Sequence, residues 1–285
     1  MDSCRRFGLA LGGGGARGYA HIGVMRVLQR EGFKPCSIAG TSMGSIMAAI
    51  FAAGHSADRV QELLSQTSFW RFLDINPFDD MLNFSELVRV LEPLLPRRIE
   101  DFPIPLGITA TDLVTGTEVY FRQGDVFQAI RASIAYPGAI NPIWVDHQLL
   151  ADGGILNQIP VDLVRFLGAE RVIAVDVTPL QVLREQPHKK TWWERVFRRG
   201  IESNPIQNVY RAVEIMQIRL AEVKLAVARP DLVLRPRLEG IGLFSFQQLE
   251  QAIRDGESAA EGALEAIREL LLDGSDQGSA QPPGL

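Results

Sequence analysis

An α/β architecture, with a mainly parallel sheet between two layers of helices, follows from three features of the chain. It opens with a strand–glycine turn–helix–strand–turn–helix run over residues 7–53. A strand–turn–helix–strand run recurs over about residues 151–177. The 285 residues are 46% hydrophobic and 22% charged, which is globular composition with enough apolar content for a substantial core. Strands that alternate with helices build a parallel sheet wrapped by those helices.

The apolar stretch Phe7–Leu11 is the first strand, Gly12–Gly18 the turn and Tyr19–Glu31 the first helix. Ile22, Val24, Met25, Val27 and Leu28 give that helix a broad buried face, and Gly32 stops it. Ser37–Ala39 is a strand and Ser45–Ala53 a helix; further helical patterns run through Ala57–Gln66 and Ser85–Leu95, the latter ended by Pro96. Pro105–Thr111 and Glu118–Phe121 read as strands about a turn at Thr115-Gly116, and Val126–Ala135 as a helix closed by Pro137-Gly138. Apolar residues up to Ala151, the turn Asp152-Gly153-Gly154 and a helix Val161–Leu167 form another β-turn-α unit. Arg171–Val177 is a strongly apolar strand central to the sheet. Residues 206–228 are a long helix, 231–235 a short strand, and 246–272 a helix interrupted at Gly256. The expected organisation is one catalytic domain over 1–272, with a mobile insertion at 179–205 and a disordered tail at 273–285.

A net charge of −5 argues against a nucleic-acid partner, because no basic excess exists to displace counterions from phosphates. Two cysteines, Cys4 and Cys36, provide neither a disulfide framework nor metal-ligand spacing. No metal or cofactor is expected. Arg5-Arg6 and the apolar residues after them resemble a signal peptide only superficially, since the apolar stretch is about five residues long. The expected location is the cytoplasm or the inner-membrane periphery.

The chemistry concentrates at strand ends. Gly40-Thr41-Ser42-Met43-Gly44 lies between a strand and a helix, the context that makes Gly-x-Ser-x-Gly a nucleophile elbow. Gly12 to Gly18 lies between another strand and helix, where unpaired backbone N–H groups at the positive end of the helix dipole can receive an anion. That anion is either a pyrophosphate or the oxyanion of acyl transfer. Gly13-x-Gly15-x-x-Gly18 has the form of a dinucleotide fingerprint, but the acidic residue expected about 20 residues on is missing. Gly18-Tyr19 also rules out a Walker A loop. An oxyanion hole at Gly13, Gly14 and Gly15 explains both loops together.

In these blocks the chain resembles the patatin-like phospholipases, and the similarity spans roughly residues 7–177. It rests on Gly12–Gly18 with its basic Arg17, the elbow Gly40–Gly44, and Asp152-Gly153-Gly154, in that order. Ala132-Ser133-Ile134-Ala135-Tyr136-Pro137-Gly138 is similar to a further block of that family. The resemblance implies a patatin-like fold and a Ser42–Asp152 dyad that hydrolyses lipid esters, phospholipids or lysophospholipids, without a histidine. Gly40, Gly44, Gly153, Gly154 and Arg17 support the site, with Arg17 either bracing the glycine loop or attracting an anionic head group.

Alternatives stay open at this level. Asp176 and then Asp112 compete as the acid. A Ser-His-Asp esterase would use His188, or His147 outside the usual chain order, and His21 and His55 complete the histidines to test. A dinucleotide binder is the alternative from another class. Trp192, Trp193, Val196 and Phe197 fall on one face of a short helix ringed by basic residues. That face either contacts a membrane or packs on the protein's own core.

Overall fold

The computed structural model describes residues 7–66, 84–179 and 205–272. The expected insertion, with Trp192, Trp193, Phe197 and His188, lies outside the described residues except for its two ends, and so does the expected tail. No helix among the described residues is long and apolar enough to cross a membrane.

Eight strands form one sheet: β1 (Phe7–Leu11), β2 (Ser37–Gly40), β3 (Leu106–Asp112), β4 (Thr117–Phe121), β5 (Ile143–Val145), β6 (Gln148–Asp152), β7 (Arg171–Val175) and β8 (Leu232–Leu234). The pairing path is β5-β6-β3-β2-β1-β7-β8, with β4 also on β3. The run β3-β2-β1-β7-β8 is parallel; β4 and β6 are antiparallel to β3, and β5 is antiparallel to β6. The sheet is therefore mainly parallel, as expected, and the unit ending at Asp152 enters it antiparallel as half of a hairpin.

Alternation along the central strands divides two cores. Phe7, Leu9 and Leu11 of β1, with Ile38 of β2, join the larger core. On that face pack α1 (Ala20–Arg30), α2 (Met43–Ala52), α3 (Ala57–Gln66), α4 (Phe84–Leu91) and α5 (Val126–Ser133). Ala10 and Ala39, on the opposite face, meet α6 (Val161–Phe166) and α7 (Pro205–Ala228). Phe7, Leu9 and Leu11 are essentially inaccessible, and each such side chain contributes about 1.5–3 kcal/mol by burial.

Gly256 does not interrupt the C-terminal helix. The break falls at Ala263, between α8 (Leu249–Gly262) and α9 (Leu264–Leu272). A Cβ at Gly256 would stand 2.0 Å from the carbonyl oxygen of Ala20, and one at Gly23 would stand 2.0 Å from that of Ile253. These glycines let α1 and α8 touch backbone to backbone; packing, and not a helix stop, requires them.

One register places the site. Ile108 of β3 pairs with Gly40 on one edge and Phe121 on the other, while Ala110 pairs with Asp152 and Val119. Since β4 holds one edge from Ile108 to Asp112, where β2 and β6 also pair, β2 and β6 share the opposite edge. They run toward each other, and their carboxyl ends meet beside Thr109.

Candidate active site

Ser42 sits where β2 turns into α2, at φ 53° and ψ −126°, a region few non-glycine residues enter. The strain is held in place from several sides. The Ser42 N–H donates to Ser133 Oγ at 2.9 Å, and the Ser45 hydroxyl and N–H donate to the Ser42 carbonyl at 2.6 and 2.8 Å. A Cβ at Gly40 would meet the Gly44 carbonyl oxygen at 2.1 Å, and one at Gly44 the Leu11 carbonyl oxygen at 2.2 Å. Only glycines permit a turn this tight. Beneath it, Thr41 Oγ1 lies 2.7 Å from Thr109 Oγ1 and 2.8 Å from the Asn157 carbonyl oxygen.

Asp152 ends β6 and is buried. Its Oδ1 accepts from the Gly154 N–H at 2.7 Å, which directs Oδ2 to the Ser42 hydroxyl, 2.6 Å away. Burial pushes its carboxyl up to about 6, against the smaller opposing pull of the bonds from Ser42 and Gly154. Asp176 is engaged elsewhere: Oδ1 accepts from Thr178 and Oδ2 from Arg235 Nε. Asp112 closes the β3–β4 turn by accepting from Val114 N–H and Thr115 Oγ1. Among the described residues, Asp152 is the carboxylate that meets Ser42.

The glycine loop rests against Ser42, since a Cβ at Gly13 would be 3.1 Å from Ser42 Cβ. Its N–H groups are not equivalent. Gly12 N–H donates to Val175 O and Gly13 N–H to Gln158 O, both at 3.0 Å. Gly14 and Gly15 N–H have no acceptor among the described residues. Of the three N–H groups at Gly13, Gly14 and Gly15, the first is engaged by Gln158. Met43 N–H, at the start of α2, is a further unspent donor that sequence reasoning did not single out. Gly15 has φ +56°, and a Cβ there would collide with Leu243 O at 2.2 Å.

Arg17 is buried in the 3₁₀ turn after the loop. Its Nε donates to Ile241 O and its terminal nitrogen to Glu214 Oε1, each at 2.8 Å. These bonds tie the glycine loop to α7 and to the segment before α8.

None of the described histidines is hydrogen-bonded to Ser42 or Asp152. His21 Nε2 lies 2.8 Å from Gly12 O behind the loop, and burial lowers its pKa to about 4, so the ring is neutral and donates to that carbonyl. His55 Nε2 contacts Leu94 O, and His147 sits in the β5–β6 turn at φ 69°.

Two hollows meet at Ser42. A small chamber is lined mostly by polar residues, among them Arg17, Asp152, Gln158, Glu214 and Gln217, together with Gly14. An apolar pocket is lined by Met43, Ile46, Leu87, Ile140, Leu243 and Phe246, among others. Gln158 is the residue that sequence reading passed over, and Ser133, inside the block 132–138, was given no role there. Gln158 is a polar position beside a recognised block, and only burial distinguishes it.

Residues 9–165 match the model of the family described as patatin-like phospholipase. The chain belongs to the patatin-like phospholipase family. Within the family it is similar to an uncharacterized NTE family protein of Mycobacterium tuberculosis, 41% identical over 180 residues, covering 62% of this chain and 50% of that protein. It is 31% identical over 284 residues to "Lysophospholipase nte1" of Aspergillus fumigatus, covering 93% of this chain and 18% of that protein. The chain thus spans about half the length of the mycobacterial relative and less of the fungal one. VipD from Legionella pneumophila shares the fold at TM-score 0.56 and 13% identity, over 93% of this chain and 67% of that one. As a family member, the chain is not read as a dinucleotide binder.

Proposed function

We propose that this patatin-like chain is a serine acyl hydrolase of lipid esters, of phospholipase A or lysophospholipase type, working through a Ser42–Asp152 dyad. The observation that carries the reading is the 2.6 Å bond from the Ser42 hydroxyl to Asp152 Oδ2, with that carboxyl raised to about 6 by burial. An aspartate at its ordinary value is a weak base for a serine hydroxyl, and raising it toward neutrality brings it into a useful range while it stays ionised at pH 7.

Ser42 Oγ attacks the ester carbonyl carbon as its proton passes to Asp152. The oxyanion forms against the N–H groups of Gly14 and Gly15, with Met43 N–H within the same space. Asp152 returns the proton to the departing alcohol as the carbon–oxygen bond breaks. Water then loses a proton to Asp152 and attacks the acyl-serine; as the bond to Ser42 Oγ breaks, Asp152 returns that proton to Ser42 Oγ and the fatty acid is released. The apolar pocket suits the acyl chain and the polar chamber the alcohol. The lysophospholipase name of the fungal relative supports this substrate class.

The test is covalent. A fluorophosphonate should label Ser42, located by peptide mass spectrometry, and Ser42→Ala should abolish both labelling and release of fatty acid from a mixed lipid panel. Folded protein that hydrolyses lipid ester but is labelled at another residue would overturn the assignment.

A further inference from the structure

We infer that Gln158 is the positioning residue that aims the Gly14 N–H at the developing oxyanion. The inference rests on the acyl-hydrolase reading above and adds a residue to it.

Gln158 grips Gly13 from both sides. Its main-chain carbonyl accepts the Gly13 N–H at 3.0 Å, and its side-chain Nε2 donates to the Gly13 carbonyl at 2.8 Å. The second bond matters because Gly13 C=O and Gly14 N–H belong to one peptide unit. All described peptide bonds are trans, and in a planar trans unit the carbonyl and the N–H point in opposite directions. Holding the carbonyl on Gln158 therefore turns the Gly14 N–H away from that amide. Gly14 lines the polar chamber with Ser42 and Asp152, and its N–H has no protein acceptor among the described residues. A donor left free beside the nucleophile, with its direction fixed through its own peptide plane, is what oxyanion stabilisation needs.

Glycine makes such a clamp necessary. With no Cβ at residues 12 to 15, the backbone has wide freedom, and an unheld Gly13–Gly14 peptide can rotate at little cost. Gln158 is itself 7% exposed, so its amide does not trade the Gly13 carbonyl for bulk water. Its reach comes from the segment after Asp152-Gly153-Gly154, so the same turn delivers the base and fixes the donor.

Gln158→Met keeps the side-chain length and removes the donor. With a soluble short-chain ester, kcat should fall about 10–100-fold, less than the roughly 10²–10³ that loss of a whole oxyanion donor costs. KM should stay within about twofold and the acid midpoint of the kcat profile should not move. Fluorophosphonate labelling, which builds charge on a phosphoryl oxygen in the same hole, should slow by a similar factor. Gln158→Glu is the second variant; ionised, it cannot donate to the Gly13 carbonyl, and kcat should drop at pH 8. Undiminished kcat in both variants would overturn the role of Gln158 while leaving the hydrolase reading intact. A loss that comes with a shifted midpoint in Gln158→Met would overturn it too, assigning Gln158 to Asp152 instead. Wild-type protein inert to ester and to fluorophosphonate would instead remove the underlying reading.

Discussion

Asp152→Asn should abolish turnover and make the protein more stable. Burial raises the Asp152 carboxyl from 3.8 to about 6. The native state therefore holds a proton that the unfolded chain releases from about pH 4 upward. Between those two values the folded state binds more protons, so stability falls as pH rises. The contribution is fully present below about pH 4 and gone above about pH 6. A shift of about two pKa units corresponds to roughly 3 kcal/mol. Asparagine is neutral at every pH, and its carbonyl can still accept from the Gly154 N–H. At pH 8 the variant should gain about 1–3 kcal/mol, which for a chain of this size raises Tm by roughly 2–10 °C. Paired thermal and urea melts at pH 8, 6 and 4 provide the assay. The advantage should be largest at pH 8 and shrink as the pH falls to 4. In wild type the same ionisation should reduce kcat about tenfold between pH 7 and pH 5. A variant no more stable than wild type at pH 8, with a difference independent of pH, would refute the reasoning.

Three further expectations follow from the geometry. Gly14→Ala places a Cβ 2.9 Å from a methyl carbon of buried Val177 and 3.3 Å from its carbonyl oxygen, so the loop must shift; kcat should fall by about 10²–10³ and Tm should fall as well in a thermal scan. Arg17→Met leaves Glu214 and the Ile241 carbonyl without their buried cation and should cost about 2–4 kcal/mol by denaturant melts, with Arg17→Met/Glu214→Met recovering part of the loss. Ile140→Trp narrows the apolar pocket and should shift the preferred acyl chain to shorter lengths in a p-nitrophenyl ester series, with butyrate turnover within about threefold of wild type.

The sheet, its mainly parallel sense and the positions of both glycine turns were legible because they rest on local signals: apolar runs punctuated by glycine. The partnership of Ser42 with Asp152 came from resemblance, since no spacing rule links residues so far apart in the chain. The antiparallel entry of β6 was not legible, because a strand before a turn reads alike in either direction and only pairing with Ala110–Asp112 decides it. Gly256 was misread as a break for a related reason. The sequence shows the missing side chain, whereas the cause is the backbone of Ala20 across an interface. Gln158 carries no local mark and Ser133 only its place in a block, and the contacts of both depend on which backbone groups tertiary packing brings to them.

The meeting of β2 and β6 on one edge of β3 turns that strand into a ruler. Gly40 and Asp152 are opposite Ile108 and Ala110, two residues apart, and that separation is about 7 Å of strand. The interval takes one hydroxymethyl group and one carboxylate in direct contact. An imidazole interposed between them, as a relay of three groups requires, would need the two strand ends drawn apart. Drawing them apart by one residue would reverse which face of the sheet the carboxylate points to, and drawing them apart by two would unpair β6 from the part of β3 that supports it. The gauge therefore changes only in coarse steps. A sheet built this way would have to be re-registered, and not merely mutated at the site, before it could accept a third catalytic group between Ser42 and Asp152.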